Sequence, residues 1–182
     1  MSTHEYDPDD NFGHAFHAQA GVDDDDALEH AALEQVAWQF LLLVNPDDED
    51  AALQQFAAFR QALDEAGDDA DPVPLLRDAI DWKAGFHVGE VDAQALMEAL
   101  DELAGRWRLQ IDWEVDEDAG ELPDTSVLLQ TAFAQLRERH YCLWTMETGE
   151  PTLAGWITHE RDMEAMQLVA SALGMPARPG VG

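Results

Sequence analysis

The sequence has a single cysteine, Cys142, and a single lysine, Lys83. One thiol cannot close a disulfide within the chain, so the fold is not a stapled one. Cys142 lies in the apolar stretch Tyr141-Cys142-Leu143-Trp144, the setting of a buried core thiol rather than of a nucleophile or redox centre. Positive charge is scarce in general: 9 Lys and Arg face 39 Asp and Glu, for a formal net charge of -30. Nucleic acids and anionic membranes are polyanions that attract basic patches, so direct binding to either is not expected. Long hydrophobic runs are missing too. Phe40-Leu41-Leu42-Leu43-Val44 falls far short of the ~20 residues that span a bilayer. Residues 1–26 contain no Lys or Arg and no continuous apolar core. They do not read as a secretory signal, and the cytoplasm is the expected compartment. The chain carries no Gly-rich phosphate loop, Gly-x-Ser-x-Gly elbow, His-Glu-x-x-His or Cys-x-x-Cys, so no catalytic residue is assigned.

Apolar matter is nonetheless plentiful. At 182 residues and 46% hydrophobic composition, the chain can bury about 70% of the surface its unfolded form exposes, without metals or disulfides. Residues 1–26 end in Asp23-Asp24-Asp25-Asp26 and read as an acidic, disordered arm. Helical spacing then begins at Ala27 and runs to Val44 through Leu28, Ala31, Ala32, Val36, Trp38, Leu42 and Leu43. Asn45-Pro46 stops that helix. The carboxylates of Asp47-Asp48-Glu49-Asp50 suit the positive start of a second one, whose apolar stripe is Leu53, Phe56, Ala57, Phe59 and Leu63 and whose stop is Gly67. A short helix follows from Pro72 through Ile80.

The period then changes to two. Trp82, Ala84, Phe86 and Val88 alternate with polar or small residues and predict a strand. Asp92 caps a helix ending at Gly105, and Trp107, Leu109, Ile111, Trp113 and Val115 predict a second strand. A helix from Thr125 to Arg139, strands over Tyr141 to Met146 and Leu153 to Thr158, and a last helix capped by Thr158 and stopped by Gly174 complete the series. The expected fold is α+β: N-terminal helices followed by a four-stranded mixed sheet with helices packed on it. The expected division is an arm over 1–26, one domain over 27–175 and a flexible tail over 176–182.

Charge is the largest functional signal. Asp47, Asp48, Glu49 and Asp50 form one base-free cluster; Asp64, Glu65, Asp68, Asp69 and Asp71 form a second; Asp112, Glu114, Asp116, Glu117, Asp118 and Glu121 belong to a third. Such clusters steer a basic protein partner, as in a decoy, inhibitor or immunity factor. The competing explanation is a surface that is acidic only for solubility or salt tolerance, on a protein of purely structural role. A third possibility is a small-ligand module or enzyme. If the two expected strands pair, Asp81, Lys83 and His87 come beside Arg106, Arg108, Asp112 and Glu114, with His87 as a base and Lys83 or Arg108 holding an anion. A solvent-facing salt-bridge ladder accounts for the same alternation. No cofactor and no metal are expected. His14 and His17 with His4, Asp7, Asp9 and Asp10 lack a rigid third ligand, and Asp7, Asp9 and Asn11 fail the calcium-loop spacing because Gly13 is one position late and Ala18 stands where a Glu should close it.

The segments Asp81-Trp82-Lys83-Ala84-Gly85-Phe86, Leu143-Trp144-Thr145 and Gly155-Trp156-Ile157, with the order of elements from Ala27 to Gly174, resemble small acidic bacterial proteins grouped only as a domain of unknown function. The resemblance implies a cytoplasmic bacterial protein and transfers no catalytic residue.

Overall fold

A computed structural model describes residues 13–81, 83–116 and 118–180, with side chains from residue 25 onward. The chain divides into two compact units at the Gln35/Val36 junction. In the first unit the described residues are helical: α1 runs Gly13–Val44, so the helix begins well before Ala27 and the residues from Gly13 to Asp26 are not an irregular arm. The histidine-rich and calcium-like patterns lie outside the residues whose side chains are described. Leu28, Ala31 and Ala32, expected to be buried, are exposed.

The second unit, Val36–Gly182, holds every other element. Ala37, Phe40, Leu41 and Val44 are fully buried at i, i+3, i+4 and i+7 of α1. The remaining helices are α2 (Glu49–Ala66), α3 (Pro72–Ala79), α4 (Ala93–Gly105), α5 (Thr125–Glu138) and α6 (Met163–Leu173). Their starts follow from short acids that satisfy free helix N–H groups: Asp48 Oδ1 accepts from Ala51 N, Asp71 from Val73 N and Asp92 from Ala95 N, each at 3.0 Å. Gly174, at φ 69°, ends α6 in the left-handed conformation. The buried stripe of α2 is Ala52, Gln55, Phe59 and Leu63, whereas Leu53 and Ala57 are exposed. Among the described residues no helix is long and apolar enough to cross a membrane.

The strands are β1 (Gly85–Gly89), β2 (Tyr141–Glu147), β3 (Thr152–His159) and β4 (Ala177–Pro179), in the order β1-β3-β2-β4. Every pairing is antiparallel, so the sheet is not mixed. The mixed expectation needed Trp107 to Val115 as a strand, and that segment starts in the turn after α4, continues without regular secondary structure and belongs to no sheet. Its alternation is real: Ile111 is buried, while Asp112 and Glu114 are exposed. Among the described residues it pairs with no strand. Instead the Gln135 amide takes both backbone groups of Asp112, accepting from N at 2.8 Å and donating to O at 2.7 Å, as a neighbouring strand would.

The fourth strand comes from the expected tail. β4 pairs with β2, and Gly180 adds bonds to Leu143 O and from Thr145 Oγ1. β1 starts later than expected because Asp81 opens a turn, its C=O accepting from Ala84 and Gly85 and its Oδ1 from Lys83 N. Trp82 lies outside the described residues. Thr158 is not a helix cap either. It is fully buried in β3, accepts from Trp144 Nε1 at 3.0 Å, and a 3-10 turn over Glu160–Asp162 precedes α6.

Both sheet faces are covered. On one, Phe86, Leu143 and Ile157 pack with Leu96, Leu100 and Leu103 of α4 and Leu128, Leu129 and Leu136 of α5. On the other, Trp144 lies opposite Trp156, and Phe40 of α1 meets the Trp156 ring edge-on with centroids 4.9 Å apart. Burial on both faces is why β2 and β3 read as nearly continuous apolar runs. Cys142 is fully buried there, and burial pushes its thiol up from 9.0 to about 11, with Arg137 lowering and Glu160 raising it further.

Candidate functional site

The polar cleft with the most converging charge lies where α1 ends, α2 begins and α4 ends. Asn45 stops α1 by turning its side chain back, Nδ2 donating to Leu41 O at 2.8 Å and to Gln55 Oε1 at 2.9 Å. Gln55 Nε2 returns a bond to Asn45 Oδ1 at 3.2 Å. This reciprocal amide pair is buried, 3% and 5% exposed, and pins the start of α2 to the end of α1. Arg106, just past α4, donates from Nη1 to Val44 O at 3.2 Å. A cation there satisfies an end carbonyl of α1 and favours the negative end of its dipole. Burial pulls the Arg106 guanidinium below its ordinary value, while the carboxylates of Asp48 and Asp81 push it back up.

These elements wall a cleft of about 600 Å³, into which Asp48, Asp50, Asp81, Asp101 and Glu102 converge with Lys83 and Arg106. Five carboxylates against two cations leave a surplus of negative charge, suited to a cationic group of a partner. Of the seven residues expected on the paired strand faces, the cleft gathers three, Asp81, Lys83 and Arg106. The other four, His87 and Arg108 of the expected ligand set among them, are elsewhere. His87 is on β1 with Nε2 3.0 Å from Thr152 Oγ1. Arg108 sits in the turn after α4 at φ 58°, stabilised by Arg108 N to Gly105 O and Leu109 N to Ala104 O. The cluster divides because it required Arg106 to Glu114 to pair with β1 as a strand. Asp112 and Glu114 instead line a separate recess with Gln135 and Arg139.

The three acidic clusters also separate. Asp47, Asp48, Glu49 and Asp50 surround the start of α2; Asp64, Glu65, Asp68, Asp69 and Asp71 surround its far end. At 1.5 Å per residue that 18-residue helix holds the two about 27 Å apart. The third cluster spans the unpaired segment after α4 and the loop before α5, with Asp116 Oδ1 accepting from Asp118 N; Glu117 lies outside the described residues. Sequence reasoning missed Asn45, Gln55, Asp101 and Glu102 as walls of the cleft. One signal was legible: Gln55 stands three residues after Ala52 and four before Phe59, a polar residue on a buried helical stripe.

The chain belongs to a family described as a domain of unknown function, DUF6630, whose sequence model matches residues 36–180. No curated protein and no solved structure matches it.

Proposed function

We propose that this DUF6630 chain is a non-catalytic acidic binding protein of the bacterial cytoplasm that engages a basic protein partner as a decoy, inhibitor or immunity-type factor. The observation that carries this reading is the exposure of the acids: every described member of the three clusters is on the surface, on a chain of formal charge -30. The ion pairs Arg77–Asp78, Arg137–Glu160, Arg161–Asp162 and Arg178–Glu147 lie outside the clusters. Surface carboxylates arranged this way speed the encounter with a cationic partner and repel nucleic acid. The cleft beside Asp48, Asp50, Asp81 and Glu102 adds a concave seat for a basic side chain at one end of this surface.

The test is capture from bacterial lysate on immobilised full-length chain, eluted by a salt gradient, against a variant with all three clusters changed to Lys. The expected result is one basic protein that leaves sharply at high salt and is absent from the reversed chain. The same set of proteins on both chains refutes the reading.

A further inference from the structure

We infer that the open edge of β1 is a strand-addition site for an extended, basic segment of the partner. The inference rests on the binding role proposed above. β1 is an outer strand of the sheet. Glu90 N donates to Pro151 O at 3.0 Å, one step beyond the Gly89↔Thr152 pair. Ladder bonds alternate in an antiparallel pair, so Phe86 and Val88 turn their backbone groups to β3, and Gly85, His87 and Gly89 turn theirs outward. Asp81 O already accepts from Gly85 N, and Gly89 O from Asp92 N. The alternation aims Gly85 C=O, His87 N–H, His87 C=O and Gly89 N–H away from the sheet, and among the described residues no hydrogen bond engages them; Gly85 is buried, so the accessible groups are those of the exposed His87 and Gly89. Edge strands are ordinarily blocked by proline, lysine or a bulge. β1, Gly-Phe-His-Val-Gly, has none of these, and its register with β3 is uninterrupted.

A cavity of about 320 Å³ lies at this edge and reaches inward to β3, lined by Gly85 to Val88 and Ala154 to Trp156, by Arg77 and Ile80 from one side and by Ala99 and Glu102 from the other. The register assigns the sides. Gly85 shares a face with Trp156, and a Cβ on Gly85 would stand 2.9 Å from Ile80 Cγ2, so that is the α3 side; Phe86 packs with Leu96 and Leu100 on the α4 side. Directly over Gly85 the Ile80 side chain fills the space, and a small apolar side chain would enter the cavity that Ile80, Gly85 and Trp156 line beside it. Glu102 stands on the other side and also walls the polar cleft, so the acidic cleft adjoins the strand edge at this residue. The base at this edge, Arg77, is held by Asp78 at 2.9 Å. Successive side chains of an added strand fall on opposite faces. The fitting occupant therefore alternates a basic residue, towards Glu102, with a small β-branched one, towards Gly85 and Ile80; main-chain bonds to His87 supply affinity.

The probe is a short capped peptide alternating arginine with valine, titrated into the full-length chain by calorimetry, with hydrogen exchange at the His87 amide followed by NMR. Binding is expected to slow His87 exchange at least tenfold. N-methylation of alternate peptide amides should weaken affinity at least tenfold, and Glu102→Lys should weaken it comparably without lowering the melting temperature. Undiminished binding of the methylated peptide, unchanged His87 exchange, or no binding of the parent peptide overturns the inference. A peptide alternating arginine with proline has the same charge but cannot add as a strand. If it matches the parent on the native chain and fails on the cluster-reversed chain, the acidic binding role survives and the strand edge does not. If both peptides bind both chains alike, both readings fall.

Discussion

Adding one methyl group at Gly155 should cost more stability than any other glycine-to-alanine change considered for this protein. Gly155 is in the middle of β3, between Phe86 of β1 and Thr145 of β2. A Cβ there would lie 2.1 Å from Trp144 O and 2.7 Å from the Phe86 ring. The first contact is with backbone of a neighbouring strand, which cannot swing aside as a side chain can, so the β2–β3 ladder has to separate locally. Overpacking a well-filled core costs about 1–3 kcal/mol when side chains can adjust, and a backbone clash belongs at or above the upper end, so Gly155→Ala should lose at least ~3 kcal/mol. For a chain of this length that lowers the melting temperature by roughly 6–12 °C.

Two controls separate steric from conformational effects. Gly67→Ala meets no atom within 4 Å but has φ 87°, so it should cost about 1 kcal/mol. Gly105→Ala meets none either and closes α4 without a positive φ, so it should gain about 0.4–1 kcal/mol. Thermal and urea melts followed by circular dichroism read all three. A Gly155→Ala protein within about 0.5 kcal/mol of the native one refutes the register on which both sheet faces, and the strand edge, are argued.

Asn45→Ala strands the buried Gln55 amide and should cost about 2–3 kcal/mol, whereas the double change Asn45→Leu with Gln55→Leu should recover most of it; a double-mutant cycle with no coupling contradicts the pairing. Cys142 titrates near 11 rather than 9.0 because it is buried. At pH 9 only about 1% of it is thiolate, so iodoacetamide should react roughly fiftyfold faster in urea than in the native protein. The folded state holds this proton more tightly than the unfolded one, so the stability it contributes is complete below pH 9.0 and is lost as pH rises through about 11; stability that rises over that interval runs against the sign. Raising salt from about 0.05 to 1 M shortens the screening length to about 3 Å and should raise the melting temperature, because repulsion among 39 acids is worse in the compact state; a steady fall contradicts it.

Much of the helical architecture was legible locally. Asp48 and Asp92 cap helices where acids precede apolar periodicity, and Gly174 ends the last one. The errors in the sheet share one cause. Trp107 to Val115 has the same alternation as a strand, and Ala177-Arg178-Pro179 has almost none, yet the second is in the sheet and the first is not. Alternation reports one buried and one exposed face, which an unpaired segment between α4 and α5 satisfies as well as a strand does. The polar cleft was hidden for the same reason: Asp81, Arg106 and Asn45 meet only because α1, α2 and α4 converge.

By itself, then, the sequence determined the charge of -30, the capped starts of α2 and α4, the glycine stop of α6 and the apolar setting of Cys142, since each depends on composition or on residues a few positions apart. The antiparallel order, the open edge at β1 and the division of the strand-face residues between a cleft and a turn were decided by the tertiary structure. Backbone groups in a ladder take partners from distant segments, and which segment is available is set by packing of the whole core, not by the residues of the strand.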